Sequence, residues 1–305
     1  MTVTSKSVST RLLNSSARHS YDPDVDVDWD LPFEPDKWFM APQRMSLFGT
    51  PMWESLSEDQ RIELSRHEVA SIVHMGWWFE VLLMQGLLRE IYQSDPRSAR
   101  TQYALTEIGD ETRHSTMFGR VLAKGDLPRY GPPRQLQRVG TLFNLVIRGA
   151  SLYAGALLVE ETQDRWQREI MHDERIQPLT RMVARIHVTE EARHVTFARD
   201  ELARVMPTMS RAERTWHQAI AAQMAIVSMR CLVHPRVYAS VGLDPREAHE
   251  VAVNNPHYRA SIAWTGEKVM PFLMEQGLVA KPHLGIWQKS FLLPQPPKGK
   301  VSTTS

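Results

Sequence analysis

A chain of 305 residues with a formal net charge of +1, its 36 basic and 35 acidic side chains spread along its length, offers no global electrostatic case for nucleic acid. A single cysteine, Cys231, excludes an intrachain disulfide and fits a reducing cytoplasm. The absence of a basic-then-apolar leader pattern, and of any apolar run near ~18 residues, argues against secretion and against a membrane span.

In chain order, residues 1–30 are polar and close on an acidic stretch from Asp22 to Asp28, which predicts an extended or poorly ordered N-terminal segment ahead of one domain over 31–290. Strand alternation is scarce, and apolar residues recur at helical spacing between Pro and Gly breaks. The chain therefore reads as all-α, with core helices at 58–93, 97–124, 137–170 and 178–205. Asp95-Pro96 and Pro178 suit the starts of the second and fourth. The stretch 122–139, carrying Gly125, Pro128, Gly131, Pro132 and Pro133, is the crossover between two antiparallel hairpins. Two further helices, at 210–234 and 245–276, would cover this bundle or support a dimer. The Pro-rich residues 291–305 read as a flexible tail.

The chemistry lies in a doubled motif. Asp110-Glu111-Thr112-Arg113-His114 recurs as Glu190-Glu191-Ala192-Arg193-His194, so Glu-x-Arg-His occurs twice, each time directly after another acid. Three residues is just short of one helical turn, so each Glu and its His share a face and can hold one ion together. Di-iron and di-manganese bundles add one lone Glu from each of the two other helices. Glu80 and Glu160 both stand inside apolar helical runs, where an acid needs a reason. Glu80 precedes Glu111 by 31 residues and Glu160 precedes Glu191 by 31, so hairpin folding brings each pair level. A third Glu-x-x-His, Glu169 to His172, falls about half a rotation away from Glu160. His187, four residues before Glu191 and seven before His194, shares their stripe and is a seventh candidate.

Carboxylate plus imidazole without thiolate suits two iron or manganese ions. In the expected arrangement Glu80 and His114 serve one ion, Glu160, His194 and His187 the other, and Glu111 and Glu191 bridge them. Asp110, Glu190, Arg113 and Arg193 repeat beside the ligands and are candidates to orient the imidazoles from the facing helix. Tyr153, two turns before Glu160, is expected to face the metal cavity. Cys231 is expected to be buried and inert.

Over residues 58–205, and most sharply from Ile176-Gln177-Pro178 through His187-Val188-Thr189-Glu190-Glu191-Ala192-Arg193-His194, the chain resembles the p-aminobenzoate N-oxygenase (AurF-type) di-iron oxygenases. The resemblance implies a ferritin-like four-helix bundle whose seven ligands fall on Glu80, Glu111, His114, Glu160, His187, Glu191 and His194. It further implies two irons, O2 as co-substrate, a peroxo-type intermediate, and oxidation of an arylamine toward hydroxylamine, nitroso or nitro products. An external electron donor (a reductase or ferredoxin), a homodimer and a cytoplasmic setting complete the expectation. The substrate-facing segments and terminal regions depart from the family pattern. Competing readings are C-hydroxylation or desaturation on the same scaffold, a ferritin-like ferroxidase or iron store, a radical-generating subunit using Tyr153 or Tyr103, and a metal-free helical scaffold.

Overall fold

Two long antiparallel hairpins form the centre of the molecule in a computed structural model that describes residues 3–294, leaving aside the side chains of 3–7, 139 and 141–145. Among the described residues there are thirteen α-helices: α1 Val3–Ser16, α2 Pro23–Asp26, α3 Pro51–Glu54, α4 Glu58–Ile91, α5 Ala99–Lys124, α6 Arg134–Val146, α7 Ala150–Ile170, α8 Pro178–Val205, α9 Arg211–Arg230, α10 Pro245–Asn254, α11 Pro256–Thr265, α12 Val269–Glu275 and α13 Leu284–Lys289. They contain no strand beyond one isolated bridge between Trp38 and Ile176, so the all-α class holds. None is long and apolar enough to cross a membrane.

The first hairpin is α4–α5 and the second α7–α8, the four helices of the bundle. Local sequence sets their ends. Ser57 and Gln60 close a reciprocal capping box at the start of α4, and Pro178 occupies the first turn of α8, where its missing N–H leaves no bond unmade. Helix α7 is buried nearly all round, with Leu157 and Leu158 wholly inaccessible; each such side chain contributes about 2 kcal/mol of apolar burial. Helix α9 lies against α7, and α1 lies across α5 and α8.

Several expectations are corrected. Within the segment expected to be extended, α1 inserts Val8 and Leu12, one turn apart, into the core, a single apolar stripe that the polar composition conceals. The expected helix at 137–170 is two helices, because Gly149 adopts φ +50°, a conformation that stops α6 from continuing into α7. The expected helix at 245–276 is three, broken where Pro256 could not donate a backbone hydrogen bond and Asn255 caps instead, and again at Gly266. The tail expected at 291–305 falls outside the described residues from 295 onward, whereas Phe291 and Leu292 are buried. Cys231 is half-buried.

Candidate metal centre

The seven side chains singled out by spacing converge on the middle of the bundle, and all are at most 3% exposed. Glu80 comes from α4, Glu111 and His114 from α5, Glu160 from α7, and His187, Glu191 and His194 from α8. Six of them form two overlapping donor groups, Glu80–His114–His187–Glu191 and Glu111–His114–Glu191–His194, whose ligand atoms lie within 4.8 Å of one another. Glu111 offers one oxygen to each histidine: Oε2 is 3.1 Å from His114 Nδ1 and Oε1 is 3.0 Å from His194 Nδ1. Glu191 Oε1 faces the same two nitrogens at 3.1 and 3.0 Å. Both carboxylates thus face both motif histidines.

Of His187, Nε2 lies 3.3 Å from Glu80 Oε1 and the ring 4.6 Å from that of His114, so the side chain stands on the Glu80–His114 side of the cluster. A residue one turn earlier on α8 leans across the bundle toward the opposite hairpin. Glu160 joins neither donor group. Burial, and then the negative charge of Glu191 and Glu111, hold its carboxyl well above the usual range.

The outward nitrogens of the two motif histidines are gripped in a crossed pattern. His114 Nε2 lies 2.9 Å from Glu190, the acid of the second motif, and His194 Nε2 lies 3.2 Å from Asp110, the acid of the first. Each outward N–H donates to a carboxylate, which leaves Nδ1 directed at the ligand space and fixes the ring. Arg193 reaches both acids, at 3.2 Å from Asp110 and 3.4 Å from Glu190, while Arg113 pairs with Asp110. The N-terminal segment closes this layer from outside: the Tyr21 backbone N–H donates to Glu190 at 3.2 Å, and the His19 carbonyl accepts from Arg193 at 3.1 Å.

The donor set fits a pair of divalent ions. Four ligand carboxylates carry four negative charges, which two such ions would balance. Without them the cluster is electrostatically frustrated: burial and then the neighbouring Glu111 and Glu160 push the Glu80 carboxyl well up, while its Oε2, like Glu191 Oε2, has no hydrogen-bond partner. Burial opposes charging of His114, yet its bonds to Glu111, Glu190 and Glu191 outweigh that and raise it well above an ordinary imidazole.

Other candidates lie elsewhere. Tyr153 packs edge-on against Phe197 at 6.1 Å and lines a polar crevice with Glu90, Asp95 and Arg100; it joins neither donor group. Its position two turns from Glu160 kept it on a similar face but shifted it along the bundle by that rise. Glu169 pairs with Arg44 at 2.7 Å. One buried acid, Glu107, went unnoticed in the sequence, although its offset from Glu111 and His114 equals that of His187 from Glu191 and His194.

Beside Glu160 a cleft encloses about 720 Å³ of atom-free space, its open mouth included. Its walls come from α4, α6, α7 and α9, with Trp78, Phe79, Leu82, Leu152 and Val227 prominent. A Cβ at Gly155 would fall 1.9 Å from Met224 Cε, the flexible end of an α9 side chain that packs here. The only ionisable group among the described lining residues is Glu160.

With this geometry in place, the comparisons bear on what the site is for. The family described as P-aminobenzoate N-oxygenase AurF matches residues 3–277. Uncharacterized proteins of Mycobacterium bovis and Mycobacterium tuberculosis are each 29% identical over 214 residues, covering 67% of this chain. The chain spans 62% of the length of these curated relatives.

Proposed function

Because the chain belongs to the P-aminobenzoate N-oxygenase AurF family, we propose that it is a non-haem di-iron oxygenase that oxidises the nitrogen of an arylamine. Glu80, Glu111, His114, Glu160, His187, Glu191 and His194 would hold two irons. The observation that carries the reading is the pair of buried donor groups sharing His114 and Glu191, with oxygen atoms left unpaired inside the bundle. When bound, such a pair supplies the redox chemistry by which O2 is reduced and activated, with electrons from an external donor.

The chain's own residues do the rest. Asp110 and Glu190 fix the His194 and His114 rings, so their Nδ1 atoms point inward without further reorganisation. The apolar cleft receives the substrate and excludes water, with Trp78 and Phe79 offering aromatic faces to a ring. Glu160 stands at the junction of cleft and metal cluster and directs the amino group toward the latter. No cationic side chain lines the cleft among the described residues, and the α6 residues whose side chains lie outside the description, Val139, Thr141, Leu142, Phe143, Asn144 and Leu145, are all uncharged. The fitting substrate is therefore an arylamine with an uncharged body, because an anion would be desolvated there without a partner.

The test combines iron analysis with turnover. About two irons per chain, and O2- and reductant-dependent conversion of an uncharged arylamine to its hydroxylamine, nitroso or nitro product, are expected. A chain loaded with two irons that consumes O2 but oxidises only carbon positions would overturn N-oxygenation and leave the metal site standing. Gel filtration separates a dimer from the large shell of an iron store.

A further inference from the structure

We infer that Glu107 is the acidic counterpart of His187 and a donor to the metal position between Glu160 and His194. The inference rests on the di-iron reading and adds a residue to it. Glu107 precedes Glu111 by four residues and His114 by seven, the offsets at which His187 precedes Glu191 and His194. On α8 this offset carries His187 across the bundle to Glu80 and His114. On α5 it carries Glu107 the other way, into a small pocket that it lines together with Glu160 and His194. The approximate twofold relation between the hairpins thus assigns His187 to one position and Glu107 to the other.

The state of the side chain supports a ligand role. Glu107 is 2% exposed, and its Oε2 has no hydrogen-bond partner. The remaining walls of the pocket are Leu83, Ala156, Leu157, Val195 and Ala198, none of which offers a side-chain donor. An acid serving only to fill this space would be inferior to a leucine, which carries no desolvation penalty.

Anaerobic Fe(II) titration of the full metal-free chain, with iron per chain measured directly, tests this. Two binding steps are expected for the parent. In Glu107→Gln, one step should weaken at least about tenfold while the other is unchanged, and Glu107→His should recover most of the loss. A filling role predicts the reverse order, since Gln preserves shape and His does not; circular dichroism of each variant reports folding independently of metal. Glu107→Gln titrating like the parent, or Glu107→His binding no better than Glu107→Gln, overturns the assignment while two irons in the parent keep the di-iron reading. A parent that takes up no iron overturns that reading itself.

Discussion

The α4–α5 and α7–α8 hairpins are built to one plan and finished differently. Each contributes a lone Glu, then after 31 residues a Glu-x-Arg-His, and each sends an acid across to hold the histidine of the other. They differ at the position four residues before the bridging carboxylate, Glu107 in one and His187 in the other. They also differ in surroundings: Glu160 opens onto the apolar cleft, whereas Glu80 does not line it. On the proposed reading, a shared frame yields two unlike metal positions, one richer in nitrogen and enclosed, the other richer in oxygen and facing the apolar cleft. Oxygen chemistry that must act on a substrate from one side has reason to depart from symmetry in this way.

The harshest way to break the comparison is to remove a carboxylate that belongs to both hairpins. Glu111→Ala or Glu191→Ala should lower bound iron from two per chain to below one, read by metal analysis after desalting, because each spans both histidines. Retention of two irons in both variants would remove the bridging assignment.

A second prediction uses an acid that only one hairpin possesses. Glu68 is fully buried on α4, twelve residues before Glu80, and the corresponding position before Glu160 is Arg148, which precedes α7. Its carboxylate accepts from the Ser46 backbone N–H at 3.1 Å and from the Ser46 hydroxyl, but burial dominates and raises its pKa from 4.5 to about 7. A folded-state pKa above the unfolded one means that its contribution to stability is complete below pH 4.5 and is lost as pH rises through 7. The loss amounts to about 3 kcal/mol. Urea denaturation of the metal-free chain at pH 4.5 and pH 8 should show a fall, and Glu68→Gln should make it smaller by about that amount.

The crossed acids sharpen the comparison more finely. Asp110→Asn should perturb the ion served by His194, on the opposite hairpin, and Glu190→Gln the ion served by His114. Each should weaken one metal step by about 10- to 100-fold, or roughly 1.4–2.8 kcal/mol, read by Fe(II) titration. A loss confined to the histidine of the same motif would contradict the crossing. The smallest effect concerns the join that only the second half contains: Gly149→Ala forces a Cβ onto φ +50° and should destabilise the fold by about 1–3 kcal/mol, seen as a lowered Tm.

Much of the metal centre was legible because its determinants are periodic. Two acids interrupting apolar runs, two Glu-x-x-His pairs and two equal separations are consequences of helical rise and hairpin folding, so spacing alone brought Glu80, Glu111, His114, Glu191 and His194 to one level. Other features escaped because they depend on contacts between elements distant in sequence. The order of α1 comes from burying Val8 and Leu12 against the bundle, and its segment earns its place by sealing Glu190 and Arg193 from outside. Tyr153 shows the limit of periodicity, since it shares a helix face with Glu160 yet lies two turns of rise away and joins neither donor group.

What the sequence by itself determined about this protein is the all-α class, the bundle helices and the set of side chains that can meet at one depth, because each follows from local periodicity. Tertiary structure alone decided which hairpin each of those side chains serves. The lean of His187 toward Glu80, the passage of the Asp110 and Glu190 contacts to opposite histidines, and the opening of Glu160 onto an apolar cleft are set by how α5 and α8 face each other and by where α9 lies against α7. Linear spacing places a side chain along and around its own helix, but only packing specifies what stands opposite.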